Sequence, residues 1–503
     1  MLTPPLLLAD YAGYVDVSDR SELQFRTTRQ LSSPIVAAAA TTTPGGATPA
    51  TVLPAAALEN SGLDFFTTPQ LRVSMTNRRL EFTFSYLPSL TVTDAELVGG
   101  AEVLFLNAGS VGAAWHADRQ VTVTVLEDGT YGRYNSANLT PVPGVNAATG
   151  TTMTGGTQAP PTTTGTPSGS PMTMMTGAGA PPAALQVKPG PQTITVLSTR
   201  TAANVSIEAD RRTHVTMGAA YYATGGLGSS QVTLPEQYGP SADASLIYDL
   251  SRHDASLTAA RAYSSQFVAV PCLALLGYGL STDLCRPHDD VAILTQGFRH
   301  DLERTTSLTA EAGVSFVRAL NVEGQADRSV WLPSGRVSVA HRVAPKVEAG
   351  KAAAGVAQAA NETQASLQLA PLVNSLTGGV SNFVQVQGLL AERLGPAFTL
   401  RGTLGGGQAI PVDSPSASTL AQGEVELDFI AGRQVNLAVG ARAFWQRQAT
   451  IPTTPACPAM SSGASSTGCG VVFVPRGTPV AFADFFSAIV YFAVTVRAPE
   501  LRF

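Results

Sequence analysis

Three acidic residues occupy alternate positions of one short segment of the chain, at Glu424, Glu426 and Asp428. Apolar residues follow each of them, and arginines lie in the preceding and following segments, at Arg401 and Arg442. Period-2 alternation is typical of a β-strand with one polar and one apolar face. If such strands enclose water, these charges project into it and set its local field. The alternative is that they pair with one another and brace the interior.

Histidine and methionine give weaker indications of chemistry. Five of the six histidines share a place in or beside a short turn, and they are His116, His214, His253, His300 and His341. We interpret them as residues at a membrane–water interface. His288 precedes two aspartates, so a divalent metal is the alternative there. Met172, Met174 and Met175 could ligate a soft metal, but the low complexity of their segment explains them better. We therefore predict no metal site and no cofactor.

An imperfect match to the nucleophile motif G-x-S-x-G surrounds Ser110, with Ala108 at the first glycine. That motif requires a strand, a sharp turn and a helix, whereas the segment here continues as a strand to Trp115. Walker, Rossmann, H-E-x-x-H and C-x-x-C motifs are not found in the sequence. We predict that the chain is not an enzyme, with a hydrolase at a barrel rim as the least favoured alternative.

The composition indicates an unusual surface. Only 13% of the residues are charged, while 47 Gly and 34 Pro accompany abundant Ala, Thr and Ser. A soluble protein of this size normally carries about twice that share of charge. The net charge of −5 disfavours nucleic acid as a partner. The best uncharged stretch, residues 267–280, is too short for a transmembrane helix and contains Pro271. Closed strands are then the only way to span a membrane.

Paired amphipathic segments recur along the chain. Leu71, Val73 and Met75 alternate with polar residues before a short turn, and an alternating run from Leu80 to Tyr86 follows. Short charged turns alternate with long loops rich in Gly, Pro, Ser and Thr, as in transmembrane barrels with periplasmic turns and extracellular loops. We predict an all-β fold, an antiparallel transmembrane β-barrel of about 16–18 strands. A soluble β-sandwich is the alternative, but its outer face would carry Lys and Glu.

The predicted organisation is an N-terminal segment, 1–20, which is a remnant of a signal or a periplasmic extension, and a single barrel, 21–503. Residues 136–190 form a low-complexity loop that we expect to be extracellular and disordered. Four cysteines fall into two local pairs, Cys272 with Cys285 and Cys457 with Cys469. Disulfides that close short loops fit an oxidising compartment, and we favour them over free thiols.

The C-terminus resembles that of Gram-negative outer-membrane β-barrel proteins. Phe486, Val490, Phe492 and Val494 share one face of an alternating segment, and the chain ends at Phe503. Ala498-Pro499 interrupts the alternation, which departs from that pattern. The resemblance implies a place in the outer membrane, contact with its lipid, and recognition of the C-terminal strand by the barrel-assembly machinery.

Two functional hypotheses follow from a barrel of this width. The first is a porin-like or export channel for passive passage of small solutes or polymers, with selectivity from loops and lumen charges. The second is a surface structural or adhesion protein that uses the barrel as an anchor for exposed Thr/Pro/Gly-rich loops. A plug domain is not recognisable in the sequence, which disfavours energy-coupled uptake of large nutrients.

Overall fold

In the computed structural model, the described part of the chain comprises mainly the barrel wall and its short turns. The described residues are 12–32, 57–93, 102–118, 120–135, 193–228, 230, 236–267, 270–271, 284–285, 288–303, 305–320, 328–343, 361–373, 380–395, 397–411, 418–432, 434–450, 481–499 and 501–502. Within this part of the chain, no helix has the length and apolar character needed to cross a membrane.

The strands form one closed antiparallel barrel of 18 strands, which confirms the predicted fold class at the upper end of its range. The barrel strands are β1 (Ala12–Ser32), β2 (Ala57–Thr76), β3 (Leu80–Thr93), β4 (Glu102–His116), β5 (Val121–Asn135), β6 (Thr193–Glu208), β7 (Thr213–Gly226), β8 (Gln237–Asp249), β9 (Asp254–Phe267), β12 (His288–Glu303), β13 (Thr306–Leu320), β14 (Arg328–Val343), β15 (Asn361–Val373), β16 (Val380–Arg393), β17 (Phe398–Pro411), β18 (Ser418–Ile430), β19 (Val435–Thr450) and β20 (Ala481–Arg497). The two-residue strands β10 (Val270–Pro271) and β11 (Leu284–Cys285) pair with each other outside the barrel sheet, and β21 (Leu501–Arg502) pairs with the start of β1.

Each barrel strand pairs with its neighbours in sequence, and the ring closes where the first strand meets the last. β1 pairs antiparallel with β20 over a long register that includes Glu22 opposite Ala493. β1 begins at Ala12, so residues 12–20 belong to the wall and the boundary expected at residue 20 is corrected. The reason is that Val15 and Val17 already alternate with polar residues and pair with β2.

The short connections lie at one end of the barrel, as the turn chemistry predicts. In the turn between β6 and β7, the backbone N–H of Arg212 donates to Asp210 Oδ1 at 2.7 Å. This hydrogen bond holds the pKa of the Asp210 carboxyl below its usual range. Between the end of β14 at Val343 and the start of β15 at Asn361, the residues lie outside the described part of the chain.

Side chains alternate between two very different surroundings along each strand. On β18, Val425 is 57% exposed on the outer face, while the neighbouring Glu426 is 4% exposed on the lumen face. The same alternation puts Phe25 outside and Arg26 inside on β1. Apolar residues on the outside of a closed barrel form the belt that contacts lipid. Trp115 and Trp331, near opposite ends of their strands, are exposed on this outer face and suit the interfacial girdles.

Several predictions concern residues that the structure does not describe. The loop 136–190, Cys272, Cys457, Cys469 and Phe503 lie outside the described residues. Cys285 belongs to β11, but its side chain is not among those described. The two disulfides, the disordered loop and the assembly signal at Phe503 therefore stay predictions.

Candidate functional site

A set of interlocked charges lies on the lumen face where the barrel closes. We call Arg20, Glu22, Glu424, Glu426, Arg442 and Tyr491 the seam network, since they come from β1, β18, β19 and β20. Arg442 Nε lies 2.8 Å from Glu424 Oε1, and its Nη2 lies 3.1 Å from Glu22 Oε1. Arg20 Nε lies 2.7 Å from Glu22 Oε1, and Arg20 also pairs with Glu426. The two arginines thus bridge three carboxylates across four strands.

Tyr491 completes the seam network, and a glycine makes room for it. Gly440 is opposite Tyr491 in the β19–β20 register. A Cβ at Gly440 would overlap the Tyr491 ring, so only glycine lets the ring lie across β19. The ring then brings its hydroxyl within 2.7 Å of Glu424 Oε1 and 2.8 Å of Glu426 Oε2. The guanidinium carbon of Arg442 lies 4.2 Å from the ring centroid, a cation–π contact.

The centre of the seam network is almost completely withdrawn from solvent. Glu22 is 1% exposed and Arg442 is 6% exposed. Two guanidinium groups face three carboxylates there, and the hydroxyl of Tyr491 supplies a further donor for the excess acceptors. A buried charge persists only when it is paired and hydrogen-bonded. The close pairing indicates that these charges brace the wall where it closes.

The remaining sequence-predicted charges border the seam network. Arg401 on β17 lies 3.1 Å from Asp428 Oδ2 through Nε and 3.8 Å from Glu426 Oε1 through Nη1. The Arg401 side chain is 38% exposed, so it is the member of this group that the lumen solution reaches. All five predicted lumen charges therefore lie on one stretch of wall, and Arg20, Glu22 and Tyr491 join them from distant parts of the sequence.

A second group of lumen charges lies on the opposite part of the ring. We call Asp128–Arg200, Asp243–Arg261 and Glu311–Arg336 the far-wall pairs, because each joins opposite charges directly across two adjacent strands. Their side chains are half-buried. Directly opposed unlike charges stabilise a strand pair by a fraction of a kcal/mol, roughly 0.2–1. Sequence reasoning missed these pairs and Arg20–Glu22.

Ser110 and His288, which were also considered for chemistry, lie in strands of the barrel, whereas Met172, Met174 and Met175 lie outside the described residues. Ser110 lies inside β4, with Oγ 2.7 Å from Ser85 Oγ, and β4 runs on to His116 without the turn that a nucleophile elbow needs. His288 Nε2 lies 2.9 Å from Asp290 Oδ1. Among the described residues, no group of three or more His, Cys, Asp or Glu side chains is arranged to hold a metal ion.

Solved structures with similar folds are outer-membrane barrels. They include the FrpB iron transporter (F3-3 variant) from Neisseria meningitidis, with a TM-score of 0.41 at 8% identity over 95% of this chain and 81% of that chain. OpdQ from Pseudomonas aeruginosa has a TM-score of 0.34 at 9% identity over 96% and 98% of the two chains. OccK2 (OpdF) from Pseudomonas aeruginosa, in complex with glucuronate, has a TM-score of 0.35 at 11% identity over 95% and 98%. All three TM-scores lie under 0.5, so nothing about the cargo of this chain follows from them.

Family membership comes from the sequence itself. No curated protein sequence matches the chain. A family model described as the EpsX exopolysaccharide export family matches residues 144–472, which is more than half of the chain. The closed barrel with an apolar exterior lies in the Gram-negative outer membrane, which confirms the predicted location. The chain belongs to the EpsX exopolysaccharide export family.

Proposed function

We propose that this barrel is the outer-membrane channel through which an exopolysaccharide leaves the cell by passive passage along the lumen. The observation that carries the proposal is the contrast between its two faces. Apolar side chains such as Val425 face lipid, whereas charged and amide side chains face the interior around the ring. Barrels of 16–18 strands are wide enough to enclose an aqueous channel. The name of the family, which refers to exopolysaccharide export, supports a polymer as the cargo.

The lumen charges have a defined part in this proposal. A polymer rich in hydroxyl groups passes most easily along a wall whose charges are already neutralised, because unpaired charges would hold counter-ions or bind the polymer too tightly. The Arg401–Asp428 ion pair meets this condition, and in the far-wall pairs each charge lies opposite one of the other sign on the neighbouring strand. Catalysis and energy coupling have no part in the proposal.

Planar-bilayer recordings with the purified, refolded protein test the channel directly. We expect discrete conductance steps that dextran in the bath reduces when it enters the pore. Thr124 faces the lumen on β5 and Val125 faces lipid next to it. Thr124→Trp should therefore lower the conductance, while the matched control Val125→Trp should leave it unchanged. A folded, heat-modifiable barrel that never opens steps would contradict the proposal and favour an anchor for surface loops.

A further inference from the structure

One sector of the lumen wall differs from the rest because its middle carries amides instead of charges. Between Arg336 on β14 and Arg401 on β17, the lumen faces of β15 and β16 present Gln368, Gln385 and Gln387. Gln368 is directly opposite Gln385, and Gln387 is opposite Gly405 on β17. These glutamines are half-buried, so the lumen solution reaches them.

A glycine separates two of the amides in this sector. Gly405 lies between two glutamines in one cross-strand row, with Gln387 on β16 and Gln422 on β18 as its neighbours. Gly405 has no side chain and is buried, so the flanking amides present the hydrogen-bonding groups of this row. We call Gln368, Gln385, Gln387, Gln422 and Gly405 the amide groove. At the end away from the short turns, the amide groove adjoins the buried apolar cluster of Phe383, Ala409 and Leu420.

The chemistry of the amide groove matches hydroxyl groups. A carboxamide offers both a donor and an acceptor, as does each hydroxyl of a sugar. It is uncharged, so it binds without the desolvation cost of a free ion. Successive lumen-facing residues on one strand are about 6.6 Å apart, since the rise is roughly 3.3 Å per residue. Gln385 and Gln387 can thus contact successive parts of an extended polymer.

We propose that the amide groove is the track that binds the exported polymer, and that it selects a neutral or weakly charged, hydroxyl-rich chain. This inference rests on the proposed function, because it names the part of the channel wall that the polymer touches. Transient hydrogen bonds from the amides keep the polymer on one side of the lumen, while the paired charges of the seam network and the far wall do not compete for it.

Blockade of single channels by dextran oligomers tests the amide groove. In the double variant Gln385→Leu/Gln387→Leu, we expect the dwell time of each dextran block to fall about tenfold, the factor that corresponds to about 1.4 kcal/mol of lost binding. Polyethylene glycol of the same hydrodynamic size has ether acceptors but no donors along its chain, so its blocks should shorten much less than those of dextran. Thr124→Val/Ser206→Ala removes lumen hydroxyls on β5 and β6 and serves as the matched control.

The outcomes separate the two proposals. Shorter dextran blocks in the glutamine variant alone would support the amide groove. Unchanged dextran blocks in that variant, in a channel that still conducts, would overturn the amide groove and leave the export channel standing. A wild-type barrel without conductance steps would instead overturn the proposed function. A variant that fails to fold is recognised by its lost heat-modifiable mobility, and Gln368→Leu, which removes the amide opposite Gln385 from a different strand, then provides the same test.

Discussion

The seam network and the far-wall pairs use the same residue types on the same face of the barrel, but they differ in burial and connection. In the seam network, Arg442 contacts Glu22 and Glu424, and each of these glutamates has a further partner. In the far wall, opposite charges face each other across one strand boundary and remain half-buried, and Glu311 also attracts Arg261 of the neighbouring pair. Interaction energies between charges increase as water is excluded. We infer that the seam network serves stability and that the far-wall pairs serve the electrostatics of the lumen.

The largest effect should come from breaking the seam network at its centre. Arg442→Met removes the cation shared by Glu22 and Glu424 and leaves both carboxylates buried without it. We expect a loss of about 3–5 kcal/mol in the free energy of unfolding, since an orphaned buried charge is costly. Urea unfolding in lipid vesicles, followed by heat-modifiable mobility, measures it. Adding Glu22→Gln should recover part of the loss, and an Arg442→Met barrel as stable as wild type would contradict a bracing role.

A smaller effect should come from disturbing the packing that the seam network needs. Gly440→Val places a side chain where the Tyr491 ring lies, so the ring must move away from Glu424 and Glu426. We expect a loss of about 1–3 kcal/mol in the free energy of unfolding, typical of an overpacked site. Gly402→Ala is the control, because a Cβ there meets only ordinary van der Waals contacts. Equal losses in the two variants would show that the position of Tyr491 is unimportant.

A substitution in the far-wall pairs should have the smallest effect on stability and a measurable effect on the ion selectivity of the channel. Asp243→Asn removes the carboxylate opposite Arg261 and leaves Glu311 as the remaining acidic neighbour of that arginine. The unfolding free energy should change by about 1 kcal/mol or less, as for partly exposed ion pairs. Reversal potentials in a KCl gradient should shift toward anion preference. No shift for Asp243→Asn, or a loss of stability as large as that for Arg442→Met, would remove the distinction between the two regions.

The sequence predicted the barrel well because its signal is local. The alternation in a run such as Leu80 to Tyr86 depends only on which face of the strand contacts lipid. Every second residue is apolar for that reason. The start of β1 was placed too late, since the N-terminal residues were assigned to an extension despite the alternation of Val15 and Val17.

Amino-acid sequence alone determined that Glu424, Glu426 and Asp428 share a polar face of one strand, since a period of two decides the face. It did not determine their partners. Glu22 lies 420 residues from Arg442 in the chain, and the two meet only because β1 pairs with β20 when the barrel closes. Alternation with a period of two does not specify the register between two strands. That register is set by the closure of the barrel and by the stagger of its strands. The tertiary structure therefore decided which lumen charges became a buried brace and which remained accessible pairs.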